Sequence, residues 1–249
     1  MGIQGVRESY ESLLRAAEDT DSVGIAVETL TGQNYCEKQV DIGRGFGDLP
    51  GPLDPRSDTV RAPVDGEDLT DDEFWAAIER GDRIRCTDRP FVAEFDGFLV
   101  GGRPQTVVFE DGRPTFVYGS LLTPSAQYLP ATNEVVRWVY GEILSRLGFP
   151  TEELYLGVLC HREPLTATER RQCYERVLDD YEKAGCWAHQ VSKDPYTVFH
   201  KSKFVNTDRS ENFEWLLGYW RGDRDPDATV YTWQCEACPY SDSCPESFV

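Results

Sequence analysis

The chain has 249 residues, 40% hydrophobic and 12% aromatic, enough apolar material for one large or two small domains, which excludes a disordered chain. Acidic residues number 44 against 25 basic, a formal net charge of −19, and they spread along the whole chain, which describes a solvated surface and not a fold. No run approaches the ~18 apolar residues that a membrane span needs, and Met1 to Tyr10 lacks the basic-then-apolar order of an export signal, so the expected setting is cytoplasmic with no membrane partner.

In chain order, Glu8 to Glu18 places Tyr10, Leu13, Leu14 and Ala17 on one helical face. Gly43 to Asp68 is dense in Gly and Pro and reads as a long loop. Thr70 and Glu73 form a capping box that opens a helix ending at Gly81. Strand signals then follow at Phe91 to Phe95, Phe98 to Val100, Thr106 to Phe109 and Thr115 to Tyr118, with turns at Asp96-Gly97 and Asp111-Gly112, and together these predict an antiparallel meander. A helix is expected over Asn133 to Leu147, a buried strand over Leu154 to Leu159, and a second capped helix from Thr166 towards Gly185. Tyr196 to Phe199 reads as a strand, and Ser210 as the cap of a helix to about Tyr219. The order predicts an α/β fold in a single domain, with a helical N-terminal part (1–85), a core (86–165) and a helical C-terminal part (166–249).

Eight cysteines in a reducing compartment point to metal binding, redox chemistry or core packing before disulfides. Cys86, Cys160 and Cys173 fall in or beside predicted core elements, where a thiol behaves as a small hydrophobe. Cys235, Cys238 and Cys244 form a C-x2-C-x5-C grouping at the end of the chain. A tetrahedral thiolate site needs a fourth ligand, and no second C-x2-C pair supplies one. Cys36 stands alone near the other end, in Tyr35-Cys36-Glu37-Lys38.

That arrangement of a lone Tyr-Cys-x-Lys cysteine, a central core and a terminal C-x2-C-x5-C resembles the iron-sulfur RecB-type exonucleases, including the CRISPR-associated Cas-four group and the AddB nuclease domain. The resemblance implies a PD-(D/E)XK core, a mixed sheet flanked by helices, with the two chain ends clasped by a 4Fe-4S cluster on Cys36, Cys235, Cys238 and Cys244, and a role in DNA processing or a CRISPR-related context. Soft iron suits thiolates, and closing a loop of about 200 residues removes much unfolded-state entropy. Structural zinc at the same cysteines is the alternative.

The resembling family cuts DNA with a His, an Asp on one hairpin strand and Glu-x-Lys on the next, a set that binds Mg²⁺ and activates water. Here Gln105 occupies the Asp position, Gly119 and Leu121 the Glu and Lys positions, and no His precedes His161. The family's Gln-x-x-x-Tyr pattern keeps Tyr140 but has Val136 for Gln. The expectation is therefore a catalytically inactive nuclease fold that holds neither Mg²⁺ nor Mn²⁺ and acts by binding DNA or a protein partner, its old pocket plugged by Tyr118. The competing enzyme reading is a migrated carboxylate pair, Glu94 and Asp96, two apart on one strand, although Asp96 is also the natural turn residue. A third reading is redox sensing by the cluster.

Lys201 and Lys203, flanked by Phe199 and Phe204, are candidates for holding a DNA backbone, with Tyr140 added by the family pattern; edge-guarding lysines are the plainer account. His161 and His189 have no spaced partners. Only five of the basic residues are Lys and twenty are Arg, and with the acidic excess this resembles proteins of salt-accumulating halophiles. In molar salt, screening falls to about 3 Å and an acidic protein is free to approach DNA.

Overall fold

A computed structural model describes residues 2–18, 24–54, 69–123, 131–179, 187–190, 197–205, 207 and 209–247. The N-terminal part opens with helix α1 (Ile3–Glu18), a short strand β1 (Gly24–Ala26), helix α2 (Val27–Tyr35) and helix α3 (Glu37–Phe46). Neither α2 nor α3 is announced by the sequence. Thr29, Thr31 and Gly32 are poor helix formers, and α2 forms because Val27 and Leu30 are wholly buried. Cys36 separates the two helices in an extended conformation, φ −161° and ψ 107°. The loop expected from Gly43 therefore begins only after Phe46, with Gly47 capping α3 at φ 74°; its stretch 55–68 lies outside the described residues.

Helix α4 (Asp71–Arg80) has the expected capping box, Thr70 and Glu73 bonding each other's backbone N–H, and ends at Gly81 with φ 74°. Strands β2 (Ile84–Thr87), β3 (Phe91–Phe95), β4 (Phe98–Gly102), β5 (Thr106–Glu110) and β6 (Arg113–Leu122) follow. The predicted meander is instead two hairpins in two sheets. Strands β3 and β4 pair around Asp96-Gly97 with φ 51° and 86°, and β5 and β6 around Asp111-Gly112 with φ 51° and 73°, the left-handed pairs that two-residue hairpins need. Between them, Pro104 has no N–H with which to continue a ladder, and Arg103 anchors the crossing through the carbonyls of Leu53 at 3.1 Å and Asp88 at 2.8 Å.

Helix α5 (Ala131–Arg146) leads to β7 (Tyr155–His161), which pairs parallel with β6, as β1 does with β4, and a parallel pair requires such a crossover. Helix α6 (Ala167–Asp179) starts from the second expected capping box, Thr166 with Glu169; its expected continuation to Gly185 lies outside the described residues, as does Cys186. Strands β8 (Trp187–Gln190) and β9 (Thr197–Lys203), helix α7 (Ser210–Arg221) and short helix α8 (Thr232–Glu236) complete the order. Ser210 is not the cap of α7: it sits inside the helix and its hydroxyl donates to the Thr207 carbonyl at 3.0 Å.

The fold is mixed α/β, with a three-stranded sheet β1-β4-β3 and a six-stranded sheet β2-β5-β6-β7-β9-β8. The main core runs from Val6 of α1 to Trp220 of α7 and includes Val107, Phe109 and Val117 from one face of the larger sheet, under α5. On the other face Val108, Phe116, Tyr118, Leu159 and Phe199 pack with Cys173 of α6. Cys86, Cys160 and Cys173 are buried as expected.

Candidate metal centre

Cys36, Cys235, Cys238 and Cys244 all line one cavity of about 20 Å³, more than the roughly 10–15 Å³ that a single water needs. All four thiols are free. Cys36 arrives between α2 and α3, and the other three are delivered by consecutive turns, in which Cys238 N–H donates to the Cys235 carbonyl at 3.1 Å and Ser241 N–H to that of Cys238 at 3.2 Å. Burial pushes the Cys238 thiol above its ordinary value, and the nearby Cys36, Cys244 and Cys235 push it further, while the Tyr240 N–H opposes them. Four thiols on one cavity are the donor type that suits a soft, thiolate-held centre. As they stand, among the described residues, no group of three or more His, Cys, Asp or Glu side chains is gathered to hold a metal ion.

The two chain ends meet around this cavity. Glu37 is 1% exposed and takes both terminal nitrogens of Arg224, the N–H of Asp227 at 3.0 Å and the Gln33 amide at 2.8 Å. Burial drives the Glu37 carboxyl up, but the bonds from Arg224, Asp227 and Gln33 outweigh it and hold it below the ordinary range. Gln33 also accepts from the Trp220 indole at 2.8 Å and donates to the Leu216 carbonyl at 2.7 Å. Phe46 stacks on Tyr240 and Lys38 pairs with Glu246 at 3.1 Å.

The positions that correspond to the resembling family's catalytic set lie on the α5 side of the larger sheet, alternating with Phe116 and Tyr118. Gln105 accepts from the Ser120 N–H and reaches the Ser120 carbonyl at 3.4 Å. A side chain at Gly119 would collide with Gln105 and with both terminal nitrogens of Arg137, a residue of α5 only 6% exposed. Leu121 packs with Val158, Cys160 and Val198. The expected plug, Tyr118, points to the opposite face, 5.2 Å from Phe116 ring to ring. Gln105 and Arg137 fill the place instead. Nothing in the sequence singles out Arg137 except its position three residues before Tyr140 on the same helix.

The other candidates are dispersed. Glu94 is exposed on β3, whereas Asp96 is the hairpin turn residue at φ 51° and binds Arg221 at 2.7 Å. Tyr140 is 1% exposed, with its hydroxyl donating to Glu28 at 3.1 Å, so its ring offers no face to a base. Lys203 pairs with Glu153 at 3.2 Å. His161 is buried and its Nδ1 lies 2.8 Å from the Glu163 carbonyl; burial holds its imidazole below the ordinary value. His189 falls on β8.

Lys201 is 5% exposed, its amine 4.5 Å above the Tyr155 ring. Burial lowers it from the ordinary 10.5 to about 8. Between those values the unfolded chain still carries a proton that the folded chain has shed. Stability is therefore expected to rise from pH 8 to pH 10.5 through this group, by about 3 kcal/mol at most. Urea melts across that range check it: Lys201→Met should flatten the rise, and an unchanged slope refutes the assignment.

No family model matches this chain, and no curated protein matches it. Among solved structures, seven chains match. One of them, "Crystal structure of SSO0001", superposes with a TM-score of 0.50 at 12% identity, over 98% of this chain and 96% of that one. The two share a fold. At that identity the likeness concerns architecture alone. Among the described residues, no helix is long and apolar enough to cross a membrane.

Proposed function

We propose that this protein is an iron-sulfur protein of the RecB-type exonuclease fold whose hydrolytic pocket is closed, and that it works by binding DNA or a protein partner instead of cutting. The observation that carries the reading is the meeting of Cys36 with Cys235, Cys238 and Cys244 around one cavity, across 235 − 36 = 199 positions of sequence. When bound there, a 4Fe-4S cluster would supply iron-thiolate bonds tying both chain ends together. The chain's own residues support a reading without hydrolysis. Mg²⁺ needs a cage of hard oxygens, whereas this pocket presents an amide, a leucine and the guanidinium of Arg137, which keeps its charge at any accessible pH and repels a divalent ion. The acid-rich, lysine-poor composition supports a halophile's protein, so its assays belong in molar potassium chloride.

The test is anaerobic purification in high salt, followed by iron, sulfide and zinc analysis and by incubation with single- and double-stranded DNA plus Mg²⁺ or Mn²⁺. Iron with sulfide and intact DNA are expected, and Cys235→Ser should abolish the iron. Zinc in place of iron would leave only a structural clasp. Degradation of DNA that Glu94→Ala abolishes would restore the migrated-site enzyme. Binding that changes reversibly with cluster oxidation would favour redox sensing.

A further inference from the structure

Resting on the reading of the four cysteines as cluster ligands, we propose that Glu37 is a positioning residue that docks the C-terminal tail in the metal-free protein, so that the four-thiol cavity exists before any metal arrives. Glu37 follows the isolated ligand Cys36 directly and opens α3. Its partner Arg224 stands just beyond α7, at the root of the tail that carries the other three thiols.

The contact has the features of an orienting device and not of a general attraction. Both carboxylate oxygens meet the two arms of one guanidinium, a fork that fixes angle as well as distance. The same guanidinium lies 3.7 Å from the Trp215 ring centre and donates to the Trp215 carbonyl at 2.8 Å, so Arg224 is held from behind by α7. The backbone closes the joint from both sides, Asp227 N–H donating to Glu37 and Lys38 N–H to the Asp227 carbonyl at 3.2 Å. Further along the tail, Thr229 and Gln234 line the cavity. None of these bonds involves a thiol. A cluster assembling on an undocked tail would have to order that tail in the same step, whereas a docked tail presents Cys235, Cys238 and Cys244 to Cys36 at a high effective concentration.

The full chain, stripped of metal under reducing conditions in high salt, provides the test. Hydrogen exchange is followed at residues 36–40 and 224–247, and cluster assembly from ferrous iron and sulfide is followed by visible absorption. Metal-free wild type should protect the tail; Glu37→Gln should lower that protection at least tenfold and slow assembly at least tenfold. Arg224→Lys, which keeps the charge but not the fork, should fall between them and serves as the second probe if Glu37→Gln fails to fold. Cys36→Ser should lose the cluster and keep the tail protected. Wild-type tail protection in Glu37→Gln, or a wild-type tail that exchanges freely without metal, overturns the proposal. A wild type that takes up no iron while its tail still depends on Glu37 overturns the cluster reading and upholds the docking.

Discussion

Cys36→Ser is expected to cost about 5 kcal/mol of stability in the loaded protein, the closure entropy of a loop of almost 200 residues. A cluster link acts on the unfolded chain, where the bond between Gln33 and Trp220 and the packing of α2 on α7 are lost, so these contacts do not shorten the loop that it closes. For a chain of this length the loss corresponds to a fall in melting temperature of about 10–20 °C. Anaerobic denaturant melts of wild type and variant measure it. An unchanged stability would mean that no link joins Cys36 to the terminal thiols.

Rebuilding the family's acids is expected to fail while Arg137 remains. The triple variant Gln105→Asp, Gly119→Glu, Leu121→Lys should cut DNA no faster than wild type, because a carboxylate placed at position 119 meets the Arg137 guanidinium and pairs with it before any divalent ion arrives. Gly119→Glu alone should destabilise by about 1–3 kcal/mol, since its Cβ enters space that Gln105 and Arg137 already fill. Adding Arg137→Gln to the triple variant removes the competing charge, and Mn²⁺ binding by calorimetry should then appear. Metal-dependent cleavage by the triple variant with Arg137 in place would show that the arginine does not keep the pocket shut.

The sequence by itself determined those parts of the fold that depend on residues near one another in the chain. The boxes at Thr70 and Thr166 and the two Asp-Gly turns are local hydrogen-bond and backbone preferences, and each appears where the residues place it. That Gln105, Gly119 and Leu121 stand where the resembling family has its acids and lysine is equally readable, since the chemistry of a side chain is visible in the letters. The spacing of Cys235, Cys238 and Cys244 singles out three of the four cysteines that line one cavity, although only the resemblance joins Cys36 to them.

Tertiary structure alone decided the rest. Helices α2 and α3 form against their weak propensities because burial of Val27, Leu30 and Val40 in a shared core outweighs the few tenths of a kcal/mol per residue at stake. One run of strands became two sheets because Pro104 interrupts the ladder and Arg103 is tied to distant carbonyls. Arg137 in the pocket, Glu37 on Arg224 and Trp220 on Gln33 join residues that are far apart in the chain, and no local periodicity encodes such a meeting. Side chains this distant become neighbours only when the core that carries them has packed, so the filling of the space beside Gly119 and the contacts between the N- and C-terminal parts are properties of the folded chain.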